Sequence, residues 1–190
     1  MHISEGLLKP EIIIPAGVLA AGVAGYLLYK LKPEQIARTA CMSALFFVGS
    51  FIHIPLGITS IHLMLSGLVG AFAGKNAFLA ILIALIFQGA FFGFGGLSVL
   101  GVNALMIGIP AILGSYFATH FGKIGWFLTG AVPIFISAII LSAILLINGE
   151  EFATLAGVAM LANIALMVVE GLISLFGISY IKKVNPEILK

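Results

Sequence analysis

The chain has 190 residues, of which 62% are hydrophobic and only 8% are charged, and its formal net charge is +2. Soluble domains contain roughly 25% charged residues, so this composition, with a mean hydropathy of +1.25, excludes a soluble protein and predicts an integral membrane protein. With Cys41 as its one cysteine, the chain can form neither an internal disulfide framework nor a thiolate metal cluster.

Charged residues, Pro and Gly interrupt the apolar runs and divide the sequence into membrane spans. A spanning helix needs about 20 apolar residues, and seven segments fit if the second and third are short. The loops are brief, so we predict an all-α integral membrane protein in which residues 1–190 form a single transmembrane domain, a bundle of about seven helices. The predicted spans cover residues 12–29, 39–53, 58–73, 77–93, 100–118, 125–147 and 154–181.

The basic residues predict the orientation of this bundle. Eight of the nine Lys and Arg residues follow the first, third, fifth or seventh span, and only Lys9 precedes the first span. Cytoplasmic loops carry an excess of Lys and Arg. The N-terminus is therefore predicted to lie outside and the C-terminus in the cytoplasm.

The first span has an alternative interpretation as a signal peptide, because Ala20 and Ala21 resemble a cleavage region. A signal peptide has positive charge before an apolar core of 7–15 residues. Here Glu5 and Glu11 precede the apolar run, and Lys30 follows it. We therefore expect the segment, and the residues before it, to be retained.

Two polar, irregular segments lie on the same predicted face as the N-terminus. HIPLGITSIH (53–62) places Pro55 and Gly57 between two spans, with His62 just inside the predicted third helix, and FGFGGLSVLGVN (92–103) has six Gly, Ser or Asn positions. Non-helical backbone at membrane depth is tolerated only where protein encloses it or where it lines a cavity. We expect both segments and the N-terminus to converge at one end of the bundle.

The four histidines differ in how readily they are explained. His120 lies beside Lys123 at a predicted cytoplasmic helix end and is interpreted as a solvated interfacial residue, and His53 is interpreted as a cap or loop residue. His62 is harder to explain, because a histidine within a membrane helix is costly unless it is paired or functional. His62 is therefore a candidate ligand.

The second residue, His2, offers a chelate that requires the terminus of the chain. The amine of Met1, the backbone nitrogen of His2 and the Nδ1 of its imidazole can close two adjacent chelate rings around one ion. Planar nitrogen geometry is typical of Ni²⁺ and Cu²⁺, and imidazole also suits zinc and iron. His62, on the same predicted face, is the natural fourth donor. A solvated terminus without metal is the alternative interpretation of His2.

Three stretches carry a family resemblance: MHISEG at the N-terminus, PLGITSIHLML (55–65) and GFGGLSVLGVNALMIGIP (93–110). Within a seven-span chain, they resemble the substrate-binding membrane component of the energy-coupling factor transporters for cobalt and nickel, the CbiM/NikM family. The resemblance covers essentially the whole chain. It implies that Met1, His2 and His62 hold Ni²⁺ or Co²⁺ as transported substrate, that the protein is no enzyme, and that it resides in a prokaryotic cell membrane, with a link to cobalamin biosynthesis.

The resemblance also implies partners. The chain has no P-loop of the form GxxxxGK followed by Ser or Thr, so it lacks that means of hydrolysing ATP. The expected partners are a transmembrane coupling subunit, two cytoplasmic ATPase subunits and a small accessory membrane subunit. No nucleic-acid partner is expected.

Several further polar residues lie near the expected site. Ser60, Gln88 and Asn103 are candidates for orienting a ligand imidazole or capping a loop, although plain interhelical hydrogen bonding explains Gln88 and Asn103 equally well. Phe94 departs from the family pattern, because related chains often have an acidic residue there. Glu170, within the seventh span, has no evident basic partner, so we expect it to be protonated or hydrogen-bonded within the bundle.

The main alternative is a secondary metal-ion transporter or a channel that needs no ATPase. Secondary transporters usually show internal repeats with broken helices, which the sequence does not display. An intramembrane metalloenzyme is disfavoured because the sequence contains no HExxH motif. The choice between nickel and cobalt stays open, since both accept nitrogen ligands and the affinity order favours nickel in any such site.

Overall fold

The computed structural model describes residues 2–56, 59–185 and 187, with the backbone alone for residues 53–56 and 59–61. These residues form eight α-helices, two 3₁₀ turns (Gly74–Asn76 and Glu150–Phe152) and one antiparallel hairpin. The elements are α1 (Pro10–Lys30), α2 (Pro33–Gly49), β1 (His53–Leu56), β2 (Thr59–His62), α3 (Ser66–Ala73), α4 (Ala77–Phe92), α5 (Leu100–Ala111), α6 (Leu113–Thr119), α7 (Gly122–Asn148) and α8 (Ala153–Val184).

Five segments of the described chain are long and apolar enough to cross a membrane. They are Pro10–Lys30, Ser66–Phe92, Leu100–Thr119, Gly122–Asn148 and Glu150–Val184. Helix α2 is shorter, with 17 residues. The predicted class, a helical membrane protein, is confirmed, whereas the count of seven spans and the orientation stay predictions.

The prediction of a continuous third helix over residues 58–73 is wrong. Strand β2 occupies its first part, and the helix begins only at Ser66. In the hairpin, His53 pairs opposite His62. Pro55 has no N–H to donate within a helix, and the β-branched Ile and Thr residues of this stretch favour extended backbone. His62 therefore ends a strand and does not lie inside a membrane helix.

The short helix α3 packs against α2, α4, α5, α6 and α7. A Cβ atom on Gly67 would overlap the carbonyl group of Thr129 in α7, and one on Gly70 would overlap that of Ala111 in α5. Small residues at such contacts are typical of helix packing in membranes. Because α3 is enclosed in this way, the backbone that leads into it from the hairpin is held inside the bundle.

The predicted fifth span, residues 100–118, matches the observed segment in extent but is divided into two helices. Helix α5 ends at Ala111 and α6 begins at Leu113. Pro110 lies within the last turn of α5. Because proline lacks an N–H and its ring crowds the preceding turn, the regular helix is interrupted there.

Candidate metal centre

Residues 2–9, called the N-terminal segment below, precede α1 and are held by buried side chains. Asn103 of α5 contacts both sides of Ile3: its Oδ1 accepts the Ile3 N–H at 2.9 Å, and its Nδ2 donates to the Ile3 carbonyl at 3.0 Å. The side chain of Ile3 is only 2% exposed. This pairing supplies the buried backbone with the hydrogen bonds that it requires, so the residue beside His2 is fixed in place.

A second asparagine repeats this arrangement at the other end of the segment. The Oδ1 of Asn148, the last residue of α7, accepts the Lys9 N–H at 2.9 Å, and its Nδ2 donates to the Leu7 carbonyl at 2.9 Å. Asn148 is buried. The two asparagines together bind four backbone groups and fix the path of the N-terminal segment.

The glycine-rich loop between α4 and α5 leaves room for this segment. Gly95 and Gly96 have positive φ angles of 75° and 96°. A Cβ atom on Gly95 would lie 3.5 Å from the Cβ of His2, and one on Gly96 would overlap the Glu5 side chain. Glycine is required here both for the backbone conformation and for the close approach.

Glu5 joins the N-terminal segment to the same loop. Its carboxylate accepts the Ser98 N–H at 2.9 Å. Hydrogen bonds from Ser98 stabilise the charged form and hold the pKa of Glu5 below its usual value. Because the carboxylate is fully exposed, this contact is screened by solvent and contributes less than the two buried asparagines.

The N-terminal segment places the imidazole of His2 against that of His62. The two rings are stacked, with centroids 4.9 Å apart and an interplanar angle of 13°. The Nδ1 of His62 lies 3.1 Å from the Leu63 carbonyl oxygen. A carbonyl only accepts hydrogen bonds, so the Nδ1 of His62 carries a proton. The structure thus brings together the two histidines that the sequence singled out.

The Nε2 of His2 and the Oε1 of Gln88 are both buried without a hydrogen-bond partner. Gln88, on α4, donates through its Nε2 to the Ser50 hydroxyl at 3.0 Å, which directs its Oε1 away from Ser50. Burial holds the pKa of His2 well below its usual 6.5, and the neighbouring Gln88 side chain opposes that shift. His2 is therefore neutral at neutral pH, as a metal ligand must be.

The other predicted residues fall in different places. Met1 lies outside the described residues, as does the side chain of Ser60. The backbone of His53 pairs opposite His62. His120 is exposed and its Nδ1 lies 2.8 Å from the Tyr116 carbonyl, in agreement with an interfacial role.

Phe94 and Glu170, both noted in the sequence, each contact residues from other parts of the chain. Phe94 packs against Phe51 and Phe92 in an aromatic cluster. Glu170 is fully buried and hydrogen-bonded to backbone N–H groups, so the expectation of hydrogen bonding within the bundle is confirmed.

Sequence reasoning missed Asn148 and the contact between Glu5 and Ser98. Asn148 stands directly before Gly149 at the predicted end of a span, where an asparagine is ordinarily interpreted as a helix end. No local pattern indicates that it binds backbone groups about 140 positions away along the chain.

Among the described residues, no group of three or more His, Cys, Asp or Glu side chains lies close enough to hold a metal. In this part of the chain, the structure therefore shows the pair of imidazoles but no cluster of three such side chains.

Fold and site together define a helical membrane protein whose N-terminal segment places His2 against His62 of the hairpin. A family model described as cobalt uptake substrate-specific transmembrane region, CbiM, matches residues 2–188. The chain belongs to this family, and the family resemblance seen in the sequence is confirmed. It is a membrane component of cobalt or nickel transport.

Individual relatives support this assignment. "Putative metal transport protein" of Haemophilus influenzae is 34% identical, over 100% of this chain and 97% of its own length. "Putative fused nickel transport protein NikMN" of Archaeoglobus fulgidus is 26% identical, over 100% of this chain and 68% of its own length. A crystal structure of a truncated transition metal transporter has the same fold, with a TM-score of 0.80, 21% identity, and coverage of 96% of this chain and 99% of that one.

Proposed function

We propose that this chain binds Ni²⁺ or Co²⁺ as the substrate-specificity component of an ATP-driven uptake transporter of the energy-coupling factor type. The stacked pair of His2 and His62 carries the proposal. These histidines are 60 positions apart in the sequence, and one lies on a segment that two buried asparagines hold in place. The fused nickel transport relative and the cobalt family model support both ions as substrates.

The proposed ligands are four nitrogens: the amine of Met1, the backbone nitrogen and Nδ1 of His2, and the Nε2 of His62. The hydrogen bond from the Nδ1 of His62 to the Leu63 carbonyl supports the choice of Nε2, because it engages the other ring nitrogen. Nitrogen ligands suit nickel and cobalt and match Mg²⁺ and Ca²⁺ poorly. In competition, nickel is expected to bind more tightly than cobalt, following the general affinity order.

Gln88 is proposed to fix the His2 ligand. If Nδ1 coordinates the ion, Nε2 carries a proton and needs an acceptor, and the unpartnered Oε1 of Gln88 is a neighbouring one. A second hydrogen bond of this kind sets the tautomer of most metal-bound histidines. In this proposal, the Nε2–H of His2 donates to the Oε1 of Gln88 once the ion is bound, which gives both buried atoms a partner.

The transport cycle needs components beyond this chain. The proposed orientation, with the N-terminus outside and the C-terminus in the cytoplasm of the cell, exposes the site to incoming ions and rests on the distribution of Lys and Arg. The proposed partners are a transmembrane coupling subunit, two cytoplasmic ATPases and a small accessory membrane subunit. ATP hydrolysis in the partners would reorient the chain, because a closed site that binds tightly also releases its ion slowly.

The decisive experiment uses the native chain, a variant with one alanine added before Met1, and a variant with one alanine added after Lys190. The N-terminal addition turns the amine into an amide and displaces the chelate. Isothermal titration in detergent should show nickel binding by the native and C-extended chains and its near-complete loss in the N-extended chain. Equal binding by all three would overturn the role of the amine, and no binding by the native chain would overturn the proposed function.

A secondary transporter or a channel remains the alternative mechanism. The family match supports uptake by this chain but is equally compatible with an ATPase-independent route. Metal entry into vesicles that contain the chain alone should be negligible, and entry should require ATP once the partners are added. Uptake by the chain alone would favour the alternative.

A further inference from the structure

Glu170 is a buried carboxylate on the helix α8, most of which faces outward. Its side chain is 0% exposed, whereas only 17% of the apolar stretch within Glu150–Val184, the segment that contains α8, is buried. The Oε1 atom accepts the N–H groups of Met64 at 2.5 Å and Leu65 at 2.9 Å, and Oε2 lies 3.0 Å from the Leu65 nitrogen. Burying a carboxylate is costly unless hydrogen bonds compensate, so this contact between distant parts of the chain requires an explanation.

The carboxylate contacts residues 63–65, called the connector below, which join strand β2 to helix α3. The Leu63 N–H donates to the Ile52 carbonyl at 3.0 Å. Leu65 has a φ of 53° and a ψ of 19°, a left-handed conformation that is uncommon for leucine. Such a conformation persists where the surroundings fix it, and the bond from the Leu65 N–H to Glu170 is one of the contacts that do so.

One peptide unit links the carboxylate to His62. The Met64 N–H and the Leu63 carbonyl belong to the same planar trans peptide, so they point in opposite directions. Glu170 binds the N–H end of this unit. The Leu63 carbonyl at the other end accepts the proton of the His62 Nδ1. Glu170 therefore holds the peptide in the orientation that directs its carbonyl toward the imidazole.

We propose that Glu170 is a positioning residue for the metal site: by holding the peptide between Leu63 and Met64, it fixes the ring orientation and the tautomer of His62. The inference rests on the proposed function, in which the Nε2 of His62 is a ligand. Metal-bound histidines usually donate their second ring N–H to a carboxylate or a carbonyl group. Here a carbonyl accepts it, and a carboxylate from another helix orients that carbonyl.

Three substitutions test this proposal. Glu170→Leu removes both acceptors, and Glu170→Gln keeps the shape and one oxygen. The matched control is Asn163→Leu, because Asn163 is buried on the same helix but donates to the Ala159 carbonyl, one turn earlier in α8. The readouts are nickel affinity by titration, the ligand-field absorption spectrum of bound nickel, and the melting temperature of the metal-free protein.

Glu170→Leu should weaken nickel binding by roughly 10–100-fold, as is typical when a contact that orients a ligand is lost, and it should alter the absorption spectrum of the nickel that still binds. Glu170→Gln should have a smaller effect in the same direction. Asn163→Leu should change the melting temperature without changing the affinity or the spectrum. If Glu170→Leu fails to insert, Glu170→Gln decides the question, and wild-type affinity and spectrum in that variant would overturn the proposal.

The metal-free protein provides a readout that does not depend on metal binding. With ¹⁵N-labelled histidine, the signal of His62, identified by its loss in His62→Ala, should show the Nδ1-protonated tautomer in the wild type and a mixture of tautomers in Glu170→Gln. An unchanged tautomer would overturn the positioning role, even if the native chain bound no nickel. Failure of the proposed function and failure of this inference are thus distinguished.

Discussion

The two regions that carry His2 and His62 are held by different means. In the N-terminal segment, asparagine side chains bind the backbone at Ile3, Leu7 and Lys9. The hairpin that carries His62 is attached at both ends and pairs with itself. Within the described residues, the N-terminal segment forms no such strand pair, so its position depends on side chains from α5 and α7.

This difference predicts which substitutions displace His2 and which displace His62. Removing a buried partner leaves a backbone group unsatisfied, at a cost of about 1–3 kcal/mol for each group. Changes at the asparagines should therefore displace His2 and leave His62 in place, whereas changes in the connector should do the reverse. The following experiments separate the two regions.

The largest effect is expected from His62→Ala, which removes a proposed ligand. The protein should still insert, and nickel affinity should fall by more than the roughly 10–100-fold that follows loss of an orienting contact. Titration in detergent provides the measurement. The matched controls are His53→Ala, at the position opposite His62 in the hairpin, and His120→Ala; an equal loss in all three would show that His62 is not a specific ligand.

The next effect separates the two asparagines. Asn103→Leu removes both hydrogen bonds to Ile3, next to His2, and should lower nickel affinity by about 10–100-fold. Asn148→Leu removes two hydrogen bonds farther along the segment. It should lower the melting temperature about as much as Asn103→Leu does, but it should reduce nickel affinity less. Affinity and melting temperature are measured on both variants. A larger affinity loss in Asn148→Leu would contradict the view that Ile3 positions His2.

A pair of glycine substitutions tests the close approach of the glycine-rich loop to Glu5 of the N-terminal segment. Gly93 and Gly96 both have positive φ, so alanine at either should cost about 1 kcal/mol or more. Only at Gly96 would the added Cβ meet Glu5; at Gly93 nothing lies within 4 Å. Gly96→Ala should therefore also weaken nickel binding several-fold, while Gly93→Ala should only lower the melting temperature. Equal affinities in the two variants would contradict the contact.

The smallest effect expected is that of pH on docking of the metal-free N-terminal segment. The pKa of His2 is lowered by burial, so its contribution to docking is present above the usual 6.5 and is lost as pH falls from 6.5 to the lowered pKa. The pKa of Glu5 is also lowered, which extends the loss to acidic pH below its usual value of 4.5.

A dye on Ser4→Cys, in a Cys41→Ser background, reports this docking, because Ser4 is exposed on the N-terminal segment. The emission should shift as the pH falls below about 6.5, and the shift should be absent in His2→Ala over the range above pH 4.5.

Nickel affinity of the unlabelled chain should decrease over the same range, because protons compete with the metal for nitrogen. An affinity that stays constant from pH 7.5 to 5 would argue against nitrogen ligation.

Much of the site was predictable because its chemistry is local in the sequence. The proposed chelate of Met1 and His2 involves neighbouring residues, and the polar segments around His62 and Asn103 stand out against an apolar background. The hairpin was mistaken for a helix because a short apolar run fits either structure. The cap residue of α3 is Leu65, which makes no side-chain cap hydrogen bond, and leucine is not a residue that indicates a helix start.

The sequence by itself determined the membrane class and the family, and it singled out the two histidines that the structure brings together. These follow from composition and from motifs, which depend on neighbouring residues. Only the tertiary structure decided that Asn148 holds the N-terminal segment and that Glu170 holds the connector, because each contact joins residues more than 100 positions apart. A polar residue within an apolar run requires a hydrogen-bond partner once it is buried, but the packing of the helices determines which backbone group is that partner.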